Sequence, residues 1–588
     1  MKRLRKTKII CTLGPAVDDV QRMKELLEAG MNVARFNFSH GNHEEQYRRL
    51  EMIRRASRET DIPAGLLLDT KGPEIRTGVM ADDAKVRLEP EDRITLTTEE
   101  VEGHAGRVSV SYHELPEHVE AGRHIFVADG LIDLEVEAVE GTEVRCIVRS
   151  GGTLGSRKNV NIPGVRVTLP AITDKDKEDI DFAIRHDLDF IAASFVRKAD
   201  DVVEIQRLLQ ERGSRIHVIA KIEDQEGLDN IRDIARVSAG VMIARGDLGV
   251  QLSTEQIPLA QKRIIEICNG RNKPVITATQ MLDSMINNSY PTRAELTDVA
   301  NAIFDGTDAV MLSGETAGGA YPRRATETMH RIAMAVEESP EYERRREKYF
   351  TFHESQADVG HAIARAAYVV ARDIEARAIV APTLRGNTPR LLSKFRPNAD
   401  IIAVTTSEPV FRQLLLPWGI VPVLSEHVTD SELMIQRALQ RSLQSGYVSR
   451  SDKVVTAAGI PVNSPFPMNT IKVHFLGNVL NRGHKGAGES CSGRIVKATS
   501  ASEAARVLRG SGDEILLIPT LEPEHRDVLK SVLGVIVEGE MFLSPEEALE
   551  TNPELVVIAE VPEAVAQFEN SQIVSLDGAE KIIYEGLL

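Results

Sequence analysis

The chain has 588 residues, room for about four domains of ordinary size or for fewer if one is a large barrel. Its 71 Lys and Arg stand against 88 Asp and Glu, a net charge of −17 with no long basic run, which argues against binding a nucleic acid by phosphate neutralisation. With 42% apolar and 27% charged residues the composition is globular, and four scattered cysteines (Cys11, Cys146, Cys268, Cys491) without a Cys-x-x-Cys pair suit neither a disulfide framework nor a thiolate zinc site.

The first 15 residues run from basic to apolar, but Gly14 and Pro15 break the apolar stretch and Asp18 and Asp19 follow it, so no export signal is expected. No apolar run reaches the ~18 residues that span a bilayer, and a soluble, cytoplasmic protein without membrane contact is predicted. In chain order, eight short apolar runs are each closed by polar, glycine or charged residues and followed by a helical segment: 7–12, 32–38, 64–69, 190–195, 217–223, 240–244, 274–279 and 309–312. Each is apolar on both faces and partly β-branched, the pattern of parallel strands covered by helices. After the first, Asp18 and Asp19 are expected to cap a helix with Val20, Met23, Leu26 and Leu27 on one face, ended by Gly30. Eight strand-helix repeats fit a closed (β/α)8 TIM barrel with its chemistry at the C-terminal strand ends; an open doubly wound sheet shares the periodicity.

Between the third and fourth runs the helical period vanishes and alternating stretches such as 86–88, 94–96, 108–110, 134–136 and 144–148 take over. They predict an all-β domain, 73–168, inserted in a barrel loop where it can act as a lid, which leaves 1–72 and 169–340 to the barrel. A third unit, 341–480, reads as an α/β layer with a helix at 357–374 and strands at 378–381, 401–404, 454–457 and 470–475. The polar, glycine-rich stretch 481–492 reads as a linker, and 493–588 as an extra α/β domain with strands at 514–518, 535–537, 555–558 and 572–576.

Charged residues sit directly behind the barrel runs, at ends that converge on one mouth. Glu223 and Asp247 offer two hard oxygen ligands, a set suited to Mg²⁺ that keeps water and substrate oxygens as its other ligands. Arg35 and Lys221 supply fixed positive charge for an anionic, phosphorylated substrate. Asn37, Ser39, Asp69 and Thr70 offer small oxygen donors for a monovalent cation, and Gly246 and Asp247 expose backbone N–H groups at a helix start to a carboxylate. No Gly-x-Ser-x-Gly elbow and no P-loop is present, so the chemistry is neither acyl transfer from serine nor P-loop phosphate binding. In the third unit Thr383, Arg385, Asn387 and Thr388 place hydroxyls and a basic residue before a helix, a pattern for a phosphate seat.

Over its first ~480 residues the chain resembles the pyruvate kinase family. The resemblance rests on motifs in order: the start Thr7 to Pro15, Asn32 to His40 with Arg35-Phe-Asn37-Phe-Ser39, Asp69 to Thr77, Ile219-Ala-Lys221-Ile-Glu223, Ala244-Arg-Gly246-Asp247-Leu-Gly249, Ile276 to Leu282, Pro291 to Glu295 and Met311 to Ala317. It implies transfer of the phosphoryl group of phosphoenolpyruvate to ADP, giving ATP and an enolate that is protonated to pyruvate. By motif, Lys221 resembles the lysine that neutralises the transferring phosphoryl group and the enolate oxygen, and Arg35 the phosphate clamp. Glu223 and Asp247 resemble the Mg²⁺ (or Mn²⁺) ligands, and Asn37, Ser39, Asp69 and Thr70 the K⁺ site. Thr279 matches the residue near the face where carbon is protonated, with a water relay toward Ser313 and Glu315, while Gly246 and Asp247 receive the carboxylate. Arg76 and Lys158 are implied on the nucleotide side, and Glu74, in the Lys-Gly-Pro-Glu-Ile-Arg motif, is linked to K⁺ dependence. Where many relatives have Asn after the metal glutamate this chain has Asp224, expected to point away from the site.

The resemblance also implies a homotetramer and a phosphorylated allosteric effector at 383–388. The tail is similar to the extra domain of some bacillus-type relatives and to the mobile phosphohistidine domain of phosphoenolpyruvate synthases, but lacks Thr-Ser-His-Ala; its only histidine, His525, reads as a solvated helix start. Two other readings stand beside this one: a metal-dependent barrel lyase or aldolase acting on pyruvate-type substrates, which needs neither ADP nor K⁺, and a non-catalytic, regulated binding protein.

Overall fold

A computed structural model describes residues 4–351, 359–428, 430–450, 452–461, 468–476, 479–510 and 512–586. Two compact units divide the chain, one of residues 1–357, 384–396 and 407–422, the other of 358–383, 397–406 and 423–588.

In the first unit eight parallel strands close into a barrel in sequence order: Lys8–Thr12, Val33–Asn37, Gly65–Asp69, Phe190–Ala193, His217–Ile222, Gly240–Ala244, Val275–Ala278 and Ala309–Leu312. The open-sheet alternative is thereby excluded. The first strand pairs with both the second and the eighth. Nearly every strand residue is buried, because one face fills the barrel and the other meets the helices: Ile10, Val33, Leu67, Ile219, Met242 and Ile276 pack inside, Ile9, Cys11, Leu66 and Val241 outside. The first helix, Val20–Ala29, starts where Asp19 accepts the Arg22 N–H at 2.8 Å and ends at Gly30, whose φ of 115° only glycine adopts without strain.

The insertion between the third and fourth strands is all β, a six-stranded sheet and a two-stranded one around Leu96, Val108, Ile125, Leu134 and Val144. Three of its strands, His124–Val127, Gly152–Leu154 and Val160–Asn161, lie outside the alternating stretches named from the sequence. It meets the barrel mouth, where Gln251 Nε2 donates to Asn161 Oδ1 at 3.2 Å.

In the second unit strands Ala378–Pro382, Asp400–Thr405, Lys453–Ala458 and Thr470–Phe475 belong to one five-stranded sheet. The helix expected at 357–374 is Val359–Asp373, its first two positions lying outside the described residues. The tail forms an eight-stranded mixed sheet whose parallel centre is Ser490–Lys497, Glu514–Ile518, Gly534–Val537 and Val556–Ala559.

The stretch expected to be a linker is part of that sheet. Val479–Arg482 pairs with Ile582–Glu585, Lys485–Ala487 with Val556–Ala559, and Ser490–Lys497 with Ile573–Asp577. Its glycines serve close packing rather than flexibility: a Cβ on Gly483 would stand 2.6 Å from Ala559 O, and one on Gly486 2.5 Å from Gly578 O. Arg450 Nη1 lies 2.8 Å from Asp577 Oδ2, joining the tail to the rest of its unit. His525 is also unlike its expectation, being buried, with Nδ1 3.2 Å from the Glu522 backbone nitrogen.

All four cysteines are unpaired thiols, and burial raises Cys11, Cys146 and Cys491 to about 12, far from thiolate chemistry. Among the described residues no helix is long and apolar enough to cross a membrane. Truncation tests the tail boundary. A chain ending at 476 is expected to be monodisperse in size-exclusion chromatography, whereas one ending at 483 keeps a strand whose partner Ile582–Glu585 is gone and is expected to aggregate.

Candidate active site

Parallel register carries the charged side chains to one level. Arg35 pairs in register with Leu67 and Asn37 with Asp69, while Lys221 stands opposite Met242 on the next strand. Glu223 follows the fifth strand directly and Asp247 lies in the first turn of the helix Arg245–Gln251 after the sixth.

Lys221 is the centre. Its Nζ lies 3.0 Å from Asp69 Oδ1 and 2.9 Å from Glu223 Oε1, and donates to Ser194 Oγ at 2.6 Å. Arg35 Nε donates to the other Asp69 oxygen at 2.7 Å and Nη1 to Thr12 Oγ1 at 2.8 Å. All four charged groups are buried. Burial works against the Lys221 charge, but Asp69 and Glu223 outweigh it and hold the ammonium firmly protonated. Against the cost of its own burial, Arg35 and Lys221 keep Asp69 below the usual carboxylate range. Glu223 goes the other way: burial first, and then the Asp247 charge, raise it in spite of Lys221. Asp247 is raised as well, by burial and by Asp129, Asp69 and Glu74. Two cations thus face three carboxylates, and the site lacks positive charge.

Asn37 and Asp69 end the second and third strands, with Ser39 and Thr70 just beyond them. Asn37 and Asp69 are register partners, Asn37 Oδ1 accepts the Ser39 N–H at 3.0 Å, and Thr70 Oγ1 accepts the Ser194 N–H at 3.1 Å. Asp224 takes no part: the strand ends at Ile222, and Asp224 caps the helix Gln225–Asp229 by accepting the Gly227 N–H at 2.7 Å. Arg76 Nη2 lies 2.6 Å from Glu74 Oε2, and Lys158 is tied by its backbone N–H to Thr77 Oγ1 at 2.9 Å, both on the inserted domain. In the segment 383–388, Arg385 and Asn387 are exposed while Thr388 is buried, and the helix Asn387–Lys394 begins after Gly386.

Thr279 has a φ of 62°, strained for a β-branched residue. Its hydroxyl donates to Ala278 O at 2.7 Å and accepts the Gly246 N–H at 2.8 Å. The Gly246 donor expected to meet a carboxylate is therefore already engaged by Thr279. Glu315 is not poised as a relay either, since Oε1 accepts the Leu282 N–H at 3.0 Å and Oε2 the Ser313 N–H at 2.7 Å; Ser313 Oγ is buried without a hydrogen-bond partner.

Two residues escaped the sequence reading. Ser194 directly follows the fourth strand at the level of Lys221, a placement that aligning the strand ends in register would have exposed. Arg245 is buried beneath the strained turn, its Nη2 donating to Thr279 O at 2.8 Å and its Nη1 2.7 Å from Asp298 Oδ2. Arg245→Met leaves that turn and Asp298 unsupported and is expected to cost about 3–5 kcal/mol of stability, checked by denaturant unfolding.

The comparisons agree with this architecture. Residues 4–326 match the model of the pyruvate kinase barrel domain and 361–474 that of the pyruvate kinase alpha/beta domain. A pyruvate kinase of Geobacillus stearothermophilus is 44% identical over 588 residues, and one of Staphylococcus aureus 42% over 587, each with 99% of both chains covered. A crystal structure of a Cryptosporidium parvum pyruvate kinase superposes with a TM-score of 0.76 at 40% identity, covering 80% of this chain and 96% of its own. Near-complete coverage in both bacterial relatives means that the alignment extends through the tail. With two domain models matched and such identity along its whole length, the chain belongs to the pyruvate kinase family of transferases.

Proposed function

We propose that this chain transfers the phosphoryl group of phosphoenolpyruvate to ADP, giving ATP and pyruvate, at the cluster centred on Lys221. The observation that carries this reading is the buried Lys221 ammonium held among Asp69, Glu223 and Ser194 at the barrel mouth, with Arg35 fixed beside it. Such a pair of immobile cations stabilises charge that moves from a phosphate ester to an enolate oxygen, and it needs no reorganisation when the charge moves. A lyase or aldolase has no use for the second cation and the nucleotide side.

The residues fit a divalent and a monovalent cation. Glu223 and Asp247 are two desolvated carboxylates, each held above its usual pKa range, which a cation would reverse. Among the described residues no third metal-ligating side chain joins them, leaving coordination positions for water and substrate oxygens, as Mg²⁺ or Mn²⁺ prefers. Asn37, Ser39 and Thr70 supply neutral oxygens beside one carboxylate, Asp69, a weaker field appropriate to K⁺. When bound, the two cations supply Lewis-acid neutralisation of the phosphoryl oxygens and balance the excess carboxylate.

Within this frame Arg35 clamps the phosphate and Lys221 follows the charge onto the enolate oxygen. Thr279, through Gly246, shapes the edge where the carboxylate rests on the Asp247 N–H, and it borders the face where carbon is protonated. Arg76 and Lys158 approach the nucleotide from the inserted domain, which closes over the mouth and excludes water. The chain works as a homotetramer in the cytoplasm, and a phosphorylated effector engages Thr383, Arg385, Asn387 and Thr388. The tail takes no chemical part, because burial removes His525 from any phosphoryl donor.

In a coupled phosphoenolpyruvate and ADP assay, Lys221→Met is expected to fold but to lose at least 10³-fold in kcat, as removal of a main electrostatic stabiliser does. Turnover near that of the parent would refute the assignment. Because cation binding must displace protons held by the raised carboxylates, the Mg²⁺ needed for half-maximal rate should rise as pH falls from 8 to 6; a flat titration would remove Glu223 and Asp247 as ligands. Glu74, although paired with Arg76, still adds negative charge at Asp247, a cation demand that a lysine at this position would meet. Activity should drop sharply in sodium-only buffer and recover in Glu74→Lys, measured as rate against K⁺ concentration.

A further inference from the structure

The N-terminal ends of the barrel strands carry a second concentration of charge that the chemistry above does not use. Pro274 and Asp308 precede the seventh and eighth strands, and a cleft opens between them and the helix Asn387–Lys394. Lys273, Arg390, Lys394 and Arg396 line it, with one carboxylate, Asp308. That carboxylate is committed: Oδ2 lies 3.0 Å from Arg396 Nη2 and accepts the Val275 N–H at 3.0 Å, and Oδ1 accepts the Trp418 N–H at 3.1 Å.

Arg396 and Asp308 cancel, and Lys273 and Arg390 are left with no lining carboxylate to face. Lys273 Nζ donates to Ser238 O at 2.7 Å. Arg390 Nη1 donates to Arg385 O at 3.1 Å, while Nη2 is shielded from solvent and has no hydrogen-bond partner. Burial, with no opposing charge, draws the Arg390 guanidinium down to about 10. His217, at the start of the fifth strand, is pushed down to about 3 by burial and by the charges of Arg390 and Lys273, so these three groups share one field. A buried guanidinium with an unused donor beside a like charge is costly unless an anion completes it.

We propose that this cleft binds a tetrahedral phosphate group between Arg390 and Lys273, either inorganic phosphate or the monoester of a compact polyol. The guanidinium fork matches two phosphate oxygens and the ammonium supplies a point charge. The enclosed space is small, about 20 Å³, which limits the ligand to a compact one. Arg390 also holds the Arg385 carbonyl, so an anion here ties the base of the barrel to the turn that starts the helix Asn387–Lys394.

The test is calorimetric titration and thermal unfolding of the full-length protein at constant ionic strength, with inorganic phosphate and separately with glycerol 3-phosphate, against chloride. Saturable binding of either anion is expected, the tighter of the two identifying the source of the phosphate group. Affinity should fall at least tenfold in Arg390→Met and in Lys273→Met, and stay unchanged in Arg87→Ala, which alters an exposed side chain of the inserted domain only. In chloride alone Arg390→Met should raise Tm, because it removes a buried uncompensated charge. Absence of saturable binding, affinity unchanged in both cleft variants, or loss in Arg87→Ala alone would overturn the proposal; Lys273→Met keeps the test decisive if Arg390→Met does not fold.

Discussion

The Lys221 ammonium, buried at the barrel mouth between Asp69 and Glu223, is the interaction on which the site depends. A buried cation survives only where carboxylates and hydrogen-bond acceptors surround it. Asp69 supplies that on one side and is itself held by Arg35, so Arg35 and Lys221 share one carboxylate. Taking away any member exposes the others to an uncompensated field. The network is rigid because each member sits on, or directly behind, a strand whose register is set by the barrel.

That rigidity has an electrostatic consequence. Three carboxylates against two cations make the empty mouth acidic, which opposes a phosphorylated substrate arriving alone. The inserted domain adds Asp129 and Glu74 to the field at Asp247.

The turn at Thr279 shows strain held in place by packing. Its positive φ persists because Arg245, anchored by Asp298, grips the Thr279 carbonyl from below, while the hydroxyl is fixed by Ala278 O and the Gly246 N–H. The tail illustrates a different use of local chemistry. Glycines that look like a flexible connection allow neighbouring strands to approach within distances that a Cβ would block. Glycine content alone does not separate these two roles, since both depend on the absent side chain.

The barrel and its mouth were legible in the sequence because two-sided burial writes continuous apolar runs, and because every strand ends at the same level, where Arg35, Asp69, Glu223 and Asp247 stand directly behind the runs. Motif order then supplied the family. Tertiary structure decided what depends on groups distant in sequence. Ser194 reaches Lys221 across 27 positions and Arg245 reaches Thr279 across 34, contacts that no local pattern records. Asp224 became a helix cap because its strand stopped two residues earlier, at Ile222. The stretch 481–492 became sheet because its partners lie some 70 to 100 residues further on. Local composition determines which residues can bury or carry charge; pairing between distant segments determines which of them meet.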